Sequence, residues 1–393
     1  MSEAAAGPIA LGMVGGGPGA FIGGVHRMAA ALDGRFRLAA GVFSSDEARS
    51  EEAGRDLGLD PERIHGAYDA MATAEAARDD GIRVVSIVTP NHLHHPVARA
   101  FLEAGIHVVC DKPLTTTLDD AEDLCRLAAE RDLLFAVTYN YTGYPMVKEA
   151  RERVRAGALG TVRKVVVEYS QGWLTTLLEA QGQKQAEWRG DPARAGVSSA
   201  LGDIGTHAHD LARYVTGLEV DELFADLGTL VEGRAMEDDG TVLFRYRGGA
   251  RGVLMVSQIS AGERNHLRLR VYGSDGGLDW VQERPDELRL LAPSGDVTVL
   301  HRGSDALSDR AKAHTRLPGG HPEGFIEAFA NVYRNVADSL RARAGGPRAP
   351  FADDHPTVQD GARGVHFVHA AVASAREGRW VSGAYDPPGA PSP

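Results

Sequence analysis

The sequence has few of the features that mark secreted, membrane-spanning or nucleic-acid-binding proteins. Its 393 residues include two cysteines, Cys110 and Cys125, which excludes a disulfide framework and favours the reducing cytoplasm. No run approaches the ~20 apolar residues of a membrane helix, and the first ten residues lack the pattern of a secretory signal. The formal net charge is -12 without a basic stripe, which argues against nucleic acid as the main partner.

The composition is otherwise that of a globular protein, with 43% apolar and 24% charged residues and enough length for two domains. Strands and helices alternate over roughly the first 140 residues, which predicts βαβ units and a parallel sheet. The predicted strands cover 9–14, 36–43, 84–88, 106–110 and 134–138, and a short helix is predicted to begin at Pro96.

The second half has a different pattern. Helices are predicted over 146–155, 203–215, 322–343 and 358–377, and mostly strands between 217 and 300. Turn signals such as Arg247-Gly248-Gly249 separate these strands, which is typical of antiparallel pairing. We therefore predict an α/β protein with a parallel α/β domain of the nucleotide-binding type of architecture (1–142), an α+β domain with a large, mostly antiparallel open sheet (143–382) and a disordered tail (383–393).

A glycine-rich turn lies between the first strand and the first helix. Gly15-x-Gly17-x-x-Ala20 matches the dinucleotide fingerprint in its Ala-ended form, in which glycines admit a pyrophosphate to the backbone and the helix N-terminus attracts its charge. Further glycines at 16, 23 and 24 leave the register open by a residue or two. The expected cofactor contacts here are Gly15, Gly17, Pro18, Gly19, Ala20 and Phe21.

The end of the second strand is where an NAD site usually places an acid for the ribose hydroxyls. This chain has Ser44 and Ser45, with Arg49 further on, a set that suits the 2′-phosphate of NADP. Asp46 fits either a ribose ligand or a helix N-cap. NADP is therefore slightly favoured over NAD.

Two further polar stretches follow buried strands. Thr89-Pro90-Asn91 comes after the third strand, and its neighbouring histidines at 92, 94 and 95 lack a cysteine or acid at metal-ligand spacing, so no metal is expected. Asp111-Lys112-Pro113 comes after the fourth strand, and ligands in open α/β sheets bind beyond the carboxyl ends of strands.

A histidine and an acid are spaced for one helix face in the second half. Asp203 and His207, in the stretch Asp-Ile-Gly-Thr-His, are four residues apart, so a carboxylate can orient an imidazole suited to proton transfer. A capping aspartate with a structural histidine is the alternative interpretation.

These motifs, in this order, resemble the Gfo/Idh/MocA family of NAD(P)-dependent sugar and cyclitol oxidoreductases, which includes inositol dehydrogenases. The resemblance covers about residues 8 to 380 and implies a Rossmann domain followed by an α/β domain whose open sheet forms an oligomer interface. It implies catalytic roles for Lys112, Asp203 and His207. Further cofactor contacts implied are Thr89, Pro90, Asn91, His94, Asp111, Lys112 and Asn140, and further substrate contacts are Tyr141, Tyr144, Trp188 and Arg189.

The expected function is hydride transfer between NAD(P) and a secondary hydroxyl or ketone of a sugar, glycoside or cyclitol, in a cytoplasmic homodimer or homotetramer. Two alternatives use the same fold. One is a glycoside cleavage or epimerisation in which the cofactor stays bound and is regenerated. The other is a regulator that binds NAD(P) without catalysis, against which the intact set of Lys112, Asp203 and His207 argues.

Overall fold

The computed structural model describes residues 7–182 and 191–390, and its first half forms a five-stranded parallel sheet. The strand order is β2-β1-β3-β4-β5. The strands are β1 (Ile9–Gly15), β2 (Phe36–Val42), β3 (Val84–Val88), β4 (His107–Cys110) and β5 (Phe135–Val137). Val108 and Cys110 join one apolar core and Val109 joins another, so this sheet is covered on both faces. Burial on both faces explains the continuous apolar runs of its strands.

Five helices connect these strands: α1 (Phe21–Leu32), α2 (Glu47–Asp56), α3 (Tyr68–Ala76), α4 (His94–Glu103) and α5 (Leu118–Glu130). The prediction that the fourth helix begins at Pro96 was wrong, because a turn over 91–93 leads directly into helix at His94. Helix α3 was not predicted. Its apolar residues are mostly alanines, so its sequence shows little contrast between a buried and an exposed face.

The second half forms a nine-stranded sheet in the order β13-β12-β11-β10-β6-β9-β8-β7-β14. Neighbouring strands are antiparallel except β6 and β9, which are parallel, so the predicted mostly antiparallel sheet is confirmed. The strands are β6 (Val162–Ser170), β7 (Val220–Gly228), β8 (Asp239–Tyr246), β9 (Arg251–Ser257), β10 (His266–Gly273), β11 (Gly277–Val281), β12 (Glu287–Leu291), β13 (Val297–His301) and β14 (Val381–Ser382).

The helices of this half are α6 (Pro145–Arg155), α7 (Pro192–Ala195), α8 (Thr206–Thr216), α9 (Asp309–Ala313), α10 (Phe325–Arg343) and α11 (Val358–Glu377). Helix α8 is preceded by a π-helical turn over Leu201–Gly205, so helical backbone begins two residues before Asp203, the start that the sequence predicted. None of the helices in the described residues is long and apolar enough to cross a membrane.

Helices α10 and α11 return to the first sheet although they come late in the chain. Phe329, Tyr333 and Val336 of α10 share a core with Leu11 and Val25. Helix α11 contributes to the cores of both sheets, since Val358 packs with the first and Phe367 with the second. The predicted division at 142 and 143 separates the two sheets, whereas the packing assigns α10 to the layers of the first.

The segment predicted to be a disordered tail is described as far as residue 390 and makes defined contacts. The Gly383 N–H donates to the Asp221 carbonyl at 2.8 Å, and the Tyr385 ring stacks on His366 at 4.5 Å between centroids. The Tyr385 hydroxyl donates to Glu122 Oε1 at 3.2 Å. The segment therefore packs against the protein, contrary to the predicted disorder, because the Tyr385 side chain contacts residues of both α5 and α11.

Candidate active site

The glycine turn joins β1 to α1 and leaves no room for a side chain at Gly15 or Gly17. Gly15 has a φ of 89°, which favours glycine, and a Cβ on Gly17 would lie 2.3 Å from the Phe43 carbonyl oxygen. Helix α1 has no side-chain cap and no acid in its first turn. The backbone N–H groups and the dipole at this N-terminus are therefore suited to an anion such as a pyrophosphate.

Gly23 makes the close helix contact that the fingerprint assigns to its last position. A Cβ on Gly23 would lie 2.3 Å from Gly16 Cα, so α1 can approach the turn only with glycine at 23. Ala20, the residue predicted from the motif, is instead the N-cap of α1, with its N–H donating to the Gly17 carbonyl at 3.1 Å. Pro18 and Gly19 lie between them, and the Phe21 side chain is 72% exposed.

At the end of β2, the contacts of Asp46 favour its interpretation as a helix N-cap over that as a ribose ligand. Its Oδ1 accepts from the Arg49 backbone N–H at 2.9 Å, so Asp46 is the N-cap of α2. Ser44 Oγ accepts from the Asp46 N–H at 3.1 Å, and Ser45 and Arg49 are exposed. No carboxylate among the described residues pairs with the Arg49 guanidinium.

The turn after β3 is held by buried side chains. Thr89 Oγ1 is buried with no hydrogen-bond partner among the described residues, and Pro90 precedes the single turn that begins at Asn91. Asn91 Nδ2 donates to the Ala195 carbonyl at 3.2 Å, which ties this turn to helix α7. The His94 ring nitrogens lie 3.0 Å from the Thr89 carbonyl oxygen and 2.8 Å from that of Pro113, so this predicted cofactor contact lies between two loops.

The motif after β4 brings Lys112 across to the second half of the chain. Asp111 Oδ1 accepts from Thr138 Oγ1 at 2.9 Å. Lys112 Nζ donates to Asp203 Oδ1 at 2.7 Å and to the Asp203 carbonyl at 2.9 Å. The two side chains are 14% and 16% exposed, so the ion pair is partly shielded from water but still open to a ligand. Gln258 Nε2 donates to the other carboxylate oxygen of Asp203, Oδ2, at 2.9 Å.

His207 lies in an aromatic enclosure near this ion pair. Its ring packs edge-on against Tyr141 at 4.8 Å and Tyr139 at 5.7 Å, and Tyr169 lies at 6.4 Å. Burial, together with the positive charge of Lys112, lowers the pKa of His207 well below its usual value, although Asp203 acts in the opposite direction. The imidazole is therefore neutral near pH 7 and can accept a proton. Its Nδ1 is buried with no partner among the described residues.

A chain of hydrogen bonds extends from this enclosure. Tyr141 and Tyr169 share a hydroxyl–hydroxyl bond, and the Tyr169 hydroxyl donates to Asn265 Oδ1 at 2.7 Å. Tyr144 is buried, stacks on Tyr141 and packs against Trp280. Asn140 is buried with its Nδ2 lacking a partner among the described residues.

The structure thus brings together Lys112, Asp203, His207 and Tyr141 from both halves of the chain. Trp188 and Arg189 lie outside the described residues. Four residues of this region were not predicted as part of the site: Gly23, Tyr169, Gln258 and Asn265. Only Gly23 had a local signal, as part of the glycine-rich stretch. Among residues 7–182 and 191–390, no group of three or more His, Cys, Asp or Glu side chains is placed to hold a metal ion.

Two family models match the chain. Residues 9–139 match the oxidoreductase family with an NAD-binding Rossmann fold, and residues 147–279 match the GFO/IDH/MocA C-terminal domain. The oxidoreductase YfiI of Bacillus subtilis, itself uncharacterized, is 35% identical over 379 residues, which are 95% of this chain and 96% of YfiI.

Two relatives have more specific names. A crystal structure of an inositol dehydrogenase homolog from Azotobacter vinelandii, complexed with NAD+, has a TM-score of 0.92 and 38% identity, covering 97% of this chain and 99% of that one. Levoglucosan dehydrogenase of Pseudarthrobacter phenanthrenivorans is 29% identical over a match that covers 94% of this chain and 97% of the levoglucosan dehydrogenase chain. The resemblance inferred from the four motifs is confirmed.

Proposed function

Because the chain belongs to the Gfo/Idh/MocA family of oxidoreductases, we propose that it transfers a hydride between NAD(P) and a secondary hydroxyl or ketone of a sugar, glycoside or cyclitol. The observation that carries this proposal is the Lys112–Asp203 pair beside a neutral, buried His207. The names of the inositol and levoglucosan relatives support the substrate class.

The cofactor, when bound, supplies the hydride acceptor or donor at its nicotinamide ring. The glycine turn and the uncapped N-terminus of α1 fit its pyrophosphate. In the oxidation, the carbon that carries the hydroxyl loses a hydride and a ring nitrogen of His207 accepts the hydroxyl proton, so that the C–O single bond becomes a carbonyl. The Lys112 ammonium stabilises the negative charge that develops on that oxygen, and Asp203 holds the ammonium in place. The reduction runs through the same positions in reverse.

The choice between NAD and NADP rests on opposing observations. The serines and the exposed Arg49 at the end of β2, with Asp46 engaged as a helix cap, support the NADP preference predicted from the sequence. The Azotobacter relative is named as a complex with NAD+, which supports NAD. We propose that the site accepts either dinucleotide and that Arg49 sets the preference.

We also propose that copies of the chain associate through the second sheet. Val166, Val253 and Leu243 are direct neighbours across β6, β9 and β8. Val166 and Val253 are half-buried and Leu243 is 38% exposed, each between buried residues of its strand, so they form an apolar row on one face. Light scattering coupled to size exclusion should give a dimer or tetramer mass, and a monomer would contradict this proposal.

Cys110 and Cys125 are buried free thiols, which fits the predicted cytoplasmic location.

The test is the absorbance of reduced nicotinamide when the protein is mixed with NAD+ or NADP+ and a panel of inositols, aldoses and glycosides. We expect a signal with at least one substrate, reduced roughly 10²–10³-fold in Lys112→Ala because the charge at the developing alkoxide is lost. Lys312→Ala removes an exposed lysine of α9 and is the control. Silence across the panel, with cofactor binding intact by calorimetry, would favour the retained-cofactor or regulator alternatives.

A further inference from the structure

We propose that Gln258 is a positioning residue that orients the Asp203 carboxylate toward Lys112; this inference rests on the proposed function. Gln258 directly follows β9, and its side chain is fully buried. Its Nε2 donates to Asp203 Oδ2 at 2.9 Å, while Lys112 Nζ donates to Asp203 Oδ1 at 2.7 Å. The Gln258 side chain is joined to the site by its hydrogen bond to Asp203, and we infer that it acts through this carboxylate.

The geometry explains why the carboxylate needs a second donor. The terminal torsion of an aspartate is broad and two-fold, so donors on both oxygens define the plane of the group better than a donor on one oxygen does. Donors on both oxygens fix that plane, and Oδ1 then points at the lysine. The direction of the Lys112 ammonium follows from that of Oδ1, because the ammonium binds Oδ1 and the Asp203 carbonyl together.

The same side chain carries a cost that a structural residue would avoid. Gln258 Oε1 is buried and has no hydrogen-bond partner among the described residues. An unpaired buried carbonyl lowers stability, and a methionine of similar length would fill the space without it. A glutamine here is therefore best explained by the donor at its other terminal atom, since proteins accept such costs at functional sites.

The backbone around Asp203 is anchored independently of Gln258. Glu237 Oε1 accepts from Ser198 Oγ and from the N–H groups of Ser199 and Leu201, which holds the start of the π-helical turn. Both backbone groups of Gln258 are also paired: its N–H donates to the Asp238 carbonyl, and its carbonyl accepts from the Leu174 N–H. Replacing the Gln258 side chain should therefore alter the carboxylate and leave the fold in place.

The experiment compares Gln258→Met and Gln258→Glu with the wild type in the full-length protein. We expect unfolding midpoints of Gln258→Met at or above that of the wild type, an unchanged dissociation constant for NAD(P), and KM within about threefold. We expect kcat to fall roughly 10- to 100-fold, because small misplacements of catalytic groups have effects of this size. Gln258→Glu should be slower still, since it places a second carboxylate against Asp203. Gln359→Met, on α11, is the control.

An unchanged kcat in Gln258→Met, or equal kcat values in the two variants, would overturn the proposal. A crystal structure of Gln258→Met gives a readout that does not depend on turnover: we expect the Lys112 Nζ to Asp203 Oδ1 contact to be broken or the carboxylate plane to be rotated. An intact pair in that structure would overturn the proposal even if the wild type proved inactive on the panel. A wild type without activity but with a displaced pair in the variant would contradict the proposed function alone.

Discussion

The surroundings of the His207 imidazole determine its protonation state. Burial removes the water that stabilises an imidazolium, and the nearby Lys112 ammonium adds repulsion, so the pKa of His207 falls well below 6.5. Asp203 favours the charged form but is already bound to Lys112. A neutral histidine is the form that can take a proton from an alcohol, which makes His207 the candidate base over the whole range near neutrality.

The first prediction concerns the pH dependence of oxidation. Because the pKa of His207 is lowered, the imidazole becomes protonated only well below pH 6.5, and kcat/KM should stay level from neutrality down to that region. His207→Gln should reduce kcat roughly 10²–10⁴-fold, the usual contribution of a general base. An acid limb at pH 6.5 or above that disappears in His207→Gln would contradict the lowered pKa. The measurement is kcat/KM against pH for both proteins.

The second prediction concerns cofactor preference at Arg49. Its guanidinium has no described carboxylate partner and is exposed at the end of β2. Arg49→Glu should weaken NADP+ binding about tenfold or more, since a charge-assisted phosphate contact becomes repulsive, and change NAD+ binding little. Calorimetry with both dinucleotides measures this. Arg55→Glu, an exposed change on the same helix, is the control, and equal losses for both dinucleotides would refute the assignment.

At the scale of elements, the turn between β1 and α1 keeps its shape only if helix α1 packs closely against the backbone of the turn. The backbone of Gly16 lies where any side chain at position 23 would have to be. This contact fixes the direction of α1, and with it the direction of the N–H groups at the N-terminus. The segment before helix α8 has a comparable role, because its π-helical turn places Asp203 against Lys112.

The third prediction compares two adjacent glycines of α1. Gly23→Ala places a Cβ 2.3 Å from Gly16 Cα and should destabilise the protein by about 1–3 kcal/mol, the usual cost of overpacking. It should also weaken dinucleotide binding, because the turn must shift. A Cβ on Gly24 meets nothing within 4 Å, so Gly24→Ala should stabilise α1 by about 0.5–1 kcal/mol. Chemical denaturation and calorimetry test both, and equal effects of the two substitutions would contradict the packing argument.

At the scale of the whole molecule, a buried ion cluster joins elements far apart in the chain. Asp354 accepts from Lys148 Nζ at 2.8 Å, Arg151 at 2.8 Å, the Tyr214 hydroxyl at 2.8 Å and Arg310 at 2.9 Å. These donors belong to α6, α8 and α9, and Asp354 precedes α11. Lys148 is fully buried, so removal of its partner would leave an uncompensated charge in the interior.

The fourth prediction follows from that cluster. The surrounding cations hold the pKa of Asp354 far below its usual value, despite burial. A depressed carboxyl pKa contributes stability that is fully present above about pH 4 and is lost as the pH falls toward the folded-state value. Asp354→Asn should therefore cost about 3–5 kcal/mol at pH 7. The difference from the wild type should shrink below about pH 4. Urea unfolding at pH 7, 5 and 3 measures it, and a pH-independent difference would refute the linkage.

Local patterns in the sequence were enough for most of the strands and helices, the glycine turn, and the Asp111-Lys112-Pro113 and Asp203 to His207 motifs. Such features depend on residues within a few positions of one another, which periodicity and turn chemistry reflect. The tertiary structure alone decided which polar groups meet. Lys112 and Asp203 are 91 positions apart, and Asp203 and Gln258 are 55 apart. The return of α10 and α11 to the first sheet was likewise unpredictable, because no local signal shows which of two apolar surfaces an amphipathic helix will cover.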